Sequence, residues 1–202
     1  YEFEIPKNEL MKYVSENDGS PMSAVAAIMV KALNRALPKN DKPFRVETNH
    51  NYRQDVGCPK THHDLLSHVF CFIPYHAQNW SVDKICTVIR GATHLQIQPE
   101  YAWDTLRKFY EYTDGIDKVK GLKEKNKYAS KNSHRVPDVH NSFLINYMGR
   151  EDWGEMTDYV ERAHIITDAH LLFEILDVGD NFCISLMQMN KKKKYMDCFC
   201  QI

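Results

Sequence analysis

Glycine and proline are scarce in this 202-residue chain, eight of each, while 43% of its residues are hydrophobic. That composition excludes collagen-like, low-complexity and disordered chains and describes an ordinary soluble globular protein. Long apolar runs are missing too. The longest, Ala24 to Val30, falls far short of the ~20 residues needed to cross a bilayer. No basic segment followed by an apolar one opens the chain, so no secretory signal is visible. Neither sign of charge is in excess: 26 Lys and Arg stand against 27 Asp and Glu, a formal net of -1. A nucleic-acid binder would normally show a basic surplus. Neither a nucleic acid nor a membrane is therefore expected as a partner. The first residue is Tyr1 and not Met, and the expectation is a piece of something longer.

Six cysteines are present: Cys58, Cys71, Cys86, Cys183, Cys198 and Cys200. The even number permits three disulfides, but the chain is too long and too glycine-poor for a stapled mini-scaffold. Cys71, Cys86, Cys183 and Cys198 lie in apolar surroundings, where a free thiol behaves as a small hydrophobe. A reducing cytoplasm is the expected location. The sequon Asn79-Trp80-Ser81 carries no weight without a secretory context.

The obvious metal candidate is the cluster Cys58, His62, His63, Asp64 and His68. Zinc accepts all of these ligand types, but structural zinc sites use paired ligands, and the second pair is missing here. Cys198 and Cys200 are one residue apart, which makes joint chelation awkward. No metal is expected, and the cluster reads as a polar loop entering a strand. A histidine general base needs a neighbour that fixes its tautomer and a nucleophile within reach; nothing in the sequence places either beside His62-His63. There is no Gly-x-Ser-x-Gly elbow, no phosphate loop and no dinucleotide fingerprint. Glu151-Asp152 reads as a solvated turn. Lys191 to Lys194 reads as a solvated helix start, with contact to phosphate or an acidic partner as the alternative.

Along the chain, Tyr1 to Ile5 alternates as a half-buried strand does. Pro6 opens a helix carrying Leu10, Met11 and Val14, with Gly19 as its stop. Ser20 caps a second helix with Pro21 at its first position, and Met22, Val25, Ala26, Met29, Leu33, Ala36 and Leu37 recur along it before Pro38. Strands are expected at about Phe44 to Tyr52 and at His68 to His76, the latter dense enough to suggest burial on both faces. Ser81 starts a long helical region and Pro99 a second helix through Leu106 and Phe109. Residues 118–135 hold seven Lys and Arg against one Glu and read as an exposed loop or helix end. Ser142 to Met148 is expected to be a strand, and so is Tyr159 to Ile166. His170 to Val178 and Asn181 to Met189 flank Gly179-Asp180 as an antiparallel hairpin. Lys191 onward begins a helix. With no internal repeat and no linker, residues 1–202 form one expected α/β domain, a mixed β-sheet packed with helices.

Two segments carry a family resemblance. Asn51-Tyr52-Arg53-Gln54-Asp55-Val56-Gly57 is similar to an arginine-containing strand end, and Phe143-Leu144-Ile145-Asn146-Tyr147-Met148-Gly149-Arg150 to an apolar-Asn-aromatic-x-Gly strand. With the hairpin Leu171 to Met189 after them, their order resembles the C-terminal lobe of the chloramphenicol-acetyltransferase-like superfamily. The similarity covers nearly all 202 residues, and its nearest members are condensation domains of nonribosomal peptide synthetases and alcohol acetyltransferases.

The resemblance implies a single lobe of a two-lobe protein with a tunnel between the lobes. A donor thioester, on coenzyme A or a carrier-protein phosphopantetheine, enters from one side. A small-molecule alcohol or amine acceptor enters from the other. No covalently bound cofactor is implied. The family's catalytic histidine belongs to a His-His-x-x-x-Asp-Gly motif, carried in two-lobe members by the N-terminal lobe. Here His62-His63 is followed by Ser67-His68 where Asp-Gly is required. Single-lobe trimeric members carry the motif near the C-terminus, where this chain has lysines and Cys-x-Cys. No catalytic residue is therefore assigned, and the chain is expected to be inactive without its N-terminal lobe. What carries over is a substrate-binding role for Arg53, Asn146 and Gly149 at the lobe interface. Local readings stand beside it: a strand-end amide bonding backbone for Asn146, and a turn of positive φ for Gly149. The alternative for the whole is a non-catalytic binding or scaffold domain of the same fold.

Overall fold

Glu2–Pro6 forms the strand β1, and Pro6, at φ −53°, passes the chain into the helix α1, Lys7–Glu16. Only Leu10 and Val14 of α1 are buried, while Met11 is exposed. The second helix, α2, covers Pro21–Ala36. Its start is fixed twice: Ser20 and Ser23 exchange hydrogen bonds in a capping box, and Pro21 occupies the first turn. Alanines 24, 26, 27 and 32 are fully buried along it. Their small side chains bring the helix close to the sheet.

The computed structural model describes residues 1–62, 65–132, 142–167, 171–189, 191 and 193–202. The remaining elements are β2 (Phe44–Asn51), β3 (Leu66–Ile73), α3 (Val82–Gln96), α4 (Pro99–Lys118), α5 (Leu122–Asn132), β4 (Phe143–Arg150), β5 (Leu171–Val178), β6 (Asn181–Gln188) and α6 (Lys194–Phe199). The chain divides into two compact units. One comprises Tyr1–Thr48, Phe70–Thr93 and Asn141–Ile202; the other comprises Asn49–Val69 and His94–His140.

The first unit is built on a mixed sheet of strand order β1-β6-β5-β4-β2-β3. β1/β6 and β5/β6 pair antiparallel, and β2/β4 and β4/β5 pair parallel. The expected α/β architecture of sheet and helices is therefore present. One face of the sheet carries Phe44 and Val46, Phe143 and Ile145, Phe173 and Ile175, Phe182 and Ile184, all in the main core with the buried face of α2 and with Ile85 and Ile89 of α3. The opposite face carries a smaller cluster in which Leu176, Val178 and Cys183 meet Val160, Ala163 and Ile165. Gly179, at φ +56°, turns the β5–β6 hairpin as the Gly-Asp pair requires.

The second unit is mostly helical. Tyr52, Leu65, Ala102 and Leu106 form its core, and Gly121, at φ +84°, turns α4 into α5.

Three expectations need correction. β3 is an edge strand whose residues alternate between buried and exposed, with Phe72 53% exposed. Its dense apolar run covers a charged neighbour instead of filling a doubly buried interior. Tyr159 to Ile166 is not a strand. A short 3₁₀ turn, Gly154–Tyr159, precedes an irregular stretch that packs its apolar residues on the sheet without joining its ladder. The lysine-rich stretch is helical over Leu122–Asn132, with no buried residue, and its continuation at 133–135 lies outside the described residues.

Candidate functional site

Side chains alternate across a strand, so the register decides which groups share the smaller face of the sheet. Asn146 of β4 stands opposite Glu174 of β5, which stands opposite Ser185 of β6, which stands opposite Glu2 of β1. A row of polar residues thus crosses the sheet from β4 through β5 and β6 to β1. Asn146 Nδ2 donates to Glu174 Oε1 at 2.9 Å. Glu174 is 6% exposed, and both its Oε2 and Asn146 Oδ1 are buried without a hydrogen-bond partner. Burial pushes the Glu174 carboxyl above its ordinary range, with only the Asn146 bond opposing the shift.

The irregular stretch over this face adds an imidazole. His164 Nδ1 lies 3.3 Å from Ser185 Oγ, and its Nε2 lies 3.5 Å from Glu4 Oε1. With its proton on Nε2, on the side of the Glu4 carboxylate, the ring leaves Nδ1 as acceptor for the Ser185 hydroxyl. The order carboxylate, imidazole, hydroxyl resembles a relay for nucleophilic catalysis. Ser185, however, is mid-strand and 2% exposed, so no substrate reaches its oxygen with the stretch in place. The three groups pin the stretch to the sheet.

Toward the other edge of the same face, the Arg45 guanidinium lies 4.0 Å from the centre of the Phe70 ring and 5.8 Å from that of Phe72. Glu47, two residues along β2, is buried on this face. The phenylalanines of the edge strand thus form an aromatic cover for a cation.

The residues expected to bind substrate fall in different units. Asn146 and Gly149 belong to the sheet unit. Gly149 has φ +77° and follows Met148, the extra residue of a β-bulge between the pairs Tyr147–Ile175 and Gly149–Leu176. The expected positive φ is therefore present, but in a bulge inside the strand and not in a turn, and a β-carbon there would be strained. Asn146 bonds a side chain and not backbone. Tyr147 beside it is half-exposed, with its ring 6.3 Å from that of Phe182.

Arg53 belongs to the second unit. Its Nε donates to Thr61 O at 3.2 Å and its Nη1 to Asn51 Oδ1 at 3.1 Å, so the guanidinium fastens its own loop. Tyr52 next to it is buried and donates from its hydroxyl to Gln96 O at 3.1 Å. His50 Nε2 meets Asp55 Oδ2 at 2.8 Å.

Among the described residues no three His, Cys, Asp or Glu side chains are grouped to hold a metal ion. His63 and Asp64 of the expected cluster lie outside the described residues. No described helix is long and apolar enough to cross a membrane. All six cysteines are free; Cys71, Cys86 and Cys183 are buried, Cys198 is half-buried, and Cys58 and Cys200 are exposed. Sequence reasoning missed Glu174, Ser185 and His164. The available signal was one carboxylate inside the apolar run Leu171-Leu172-Phe173-Glu174-Ile175-Leu176, a residue type rarely buried.

No protein-family model matches the chain, and no curated protein matches it. Solved structures do. Polyketide synthase associated protein 5 from Mycobacterium tuberculosis is 11% identical with a TM-score of 0.60, matching 100% of this chain and 49% of its own. The epimerization domain from the third module of tyrocidine synthetase B is 8% identical with a TM-score of 0.58, matching 100% of this chain and 46% of its own. The PapA2 acyl transferase is 9% identical with a TM-score of 0.57, matching 100% of this chain and 43% of its own. The chain spans less than half the length of each. It has the chloramphenicol-acetyltransferase-like fold that these acyltransferase and peptide-synthetase domains share.

Proposed function

We propose that this chain is the C-terminal half of a two-lobe acyltransferase of the condensation or alcohol acetyltransferase type. In this reading it supplies part of the substrate tunnel and leaves the catalytic histidine to an N-terminal lobe. The observation that carries the reading is the pairing of a match along the whole chain with less than half of each neighbour. The donor would be a thioester on coenzyme A or on an acyl carrier protein, and the acceptor a small alcohol or amine. Asn146 and Gly149 would face the tunnel from the bulged end of β4. There the half-exposed Tyr147 and the exposed Met148 offer an apolar margin for the other lobe. Arg53 would act from its fastened loop, where a fixed guanidinium can orient a carboxylate or carbonyl at little entropic cost.

The fold alone does not select the reaction, since a neighbour with the same architecture is named for epimerization. The motif decides. The residues preceding this chain in its parent protein should contain His-His-x-x-x-Asp-Gly. Replacing the second histidine of that motif by Ala should abolish acyl transfer by the parent, because no base is then left to deprotonate the acceptor. A parent without the motif and without transfer would make this a binding domain of the same fold.

A further inference from the structure

Two acceptor oxygens without a donor lie on neighbouring strands of the smaller sheet face: Glu174 Oε2 and Asn146 Oδ1. Their own partner atoms already meet, Asn146 Nδ2 donating to Glu174 Oε1, and the two residues stand opposite each other in register. A carboxylate here would leave both remaining oxygens as bare acceptors in a buried place, each costing the desolvation of a polar group. A carboxylic acid would not. With a proton on Oε2, the acid and the amide have one donor and one acceptor each for the other, and a second bond from Oε2 to Asn146 Oδ1 would close a ring with the one already present.

We propose that Glu174 is uncharged in the folded chain and closes a reciprocal acid–amide pair with Asn146, so that Glu174 is the positioning residue for the Asn146 amide. One N–H of Asn146 and one lone pair of its oxygen are spent on Glu174. The second N–H remains to be offered. If the acyltransferase reading holds, on which this last step rests, Asn146 then addresses an oxygen of the substrate, such as a thioester carbonyl, and not the N–H or O–H of the acceptor.

The surroundings agree with the neutral form. Burial is what raises the carboxyl's affinity for a proton. The described charged or titratable groups on this sheet face include Arg45 and Glu47 on β2, Glu2 and Glu4 on β1, Cys183 on β6, His68 in step with Phe70 on β3, and, in the stretch above, His164 and Arg162, whose Nη1 lies 4.0 Å from Glu4 Oε1. The shift of Glu174 is traced to none of them. The sign of the linkage follows. Because the folded state holds this proton more tightly than the unfolded chain, the contribution of Glu174 to stability is fully present below the ordinary carboxylate range. It is lost as pH rises through the raised folded value.

The test is an NMR titration of the chain labelled at the Glu carboxyl carbons and the Asn side-chain amides, with Glu174→Gln as the control. Gln is neutral at every pH and can donate to Asn146 Oδ1 as the acid does. The expected result is a Glu174 carboxyl that titrates above every exposed Glu, with the Asn146 amide signals moving at the same midpoint. In Glu174→Gln those amide signals stay fixed over that range, and the fall in stability across it disappears. A Glu174 carboxyl that titrates with the exposed glutamates, or Asn146 signals that ignore it, would overturn the proposal. Neither result depends on whether the parent protein transfers acyl groups.

Discussion

On β5, Leu171, Phe173 and Ile175 enter the main core of the sheet unit. One residue out of step, Leu172, Glu174 and Leu176 face the other way, toward Asn146, Ser185 and the stretch that carries His164. Both sets are buried. The first consists of hydrocarbon packed on the alanine-rich side of α2, where each side chain adds to stability by leaving water. The second interrupts hydrocarbon with an acid, an amide and a hydroxyl whose hydrogen bonds are only partly made. Apolar residues there would be as stable or more so, so stability does not explain the polar row. The comparison separates the face that holds the sheet unit together from a face whose polar row stability alone does not require.

The largest expected effect comes from the core face. Phe173→Ala removes a fully buried ring stacked near Phe143 and Phe199, and should cost about 3–5 kcal/mol in chemical denaturation. A loss below about 1 kcal/mol would mean that the main core is not where Phe173 sits. Next in size is the start of α2. Ser20→Ala deletes the side chain that accepts from the Ser23 backbone N–H and should cost about 1 kcal/mol, with Ser20→Asp recovering most of it.

A comparable effect of mixed sign is expected in the second unit. A β-carbon on Gly115 of α4 would overlap the Tyr128 hydroxyl of α5. Gly115→Ala should therefore weaken the α4–α5 pair in the native background. With Tyr128→Ala already present, the same change should gain up to ~1 kcal/mol from helix propensity. Equal effects in both backgrounds, in a double-mutant cycle followed by helical circular dichroism, would show that the two helices do not touch there.

On the second sheet face, Ser185→Ala removes one 3.3 Å contact to His164 Nδ1 and should cost about 1 kcal/mol, the size of a single hydrogen bond. The mildest test changes no residue. Burial pushes the Cys71 and Cys86 thiols up to about 11, so a maleimide at neutral pH should label Cys58 and Cys200 first. Cys71, Cys86 and Cys183 should be labelled only on unfolding, as read by peptide mass.

Much of the fold was legible because local physics wrote it. Ser20-Pro21 announces α2, Gly179-Asp180 announces the hairpin, and the alternation of Tyr1 to Ile5 announces β1. What failed depended on position in the sheet. The run around Phe70 and Phe72 has the composition of an interior strand, and only the strand order reveals that it lies at an edge and covers Arg45. Val160, Ala163 and Ile165 alternate loosely enough to resemble a strand, yet they pack without pairing. For the site, Asn146 and Gly149 were visible through a motif, whereas Glu174 and His164 become interesting only once register places them beside Asn146 and Ser185.

The central claim, that this chain is one half of an acyl-transfer tunnel, is tested most directly by assaying acetyl transfer from acetyl coenzyme A to a panel of alcohols and amines. The assay compares the chain alone with the same chain joined to the preceding lobe of its parent. The account predicts no turnover above background for the chain alone and measurable transfer for the joined protein. Robust turnover by the chain alone, abolished by His63→Ala, would contradict it.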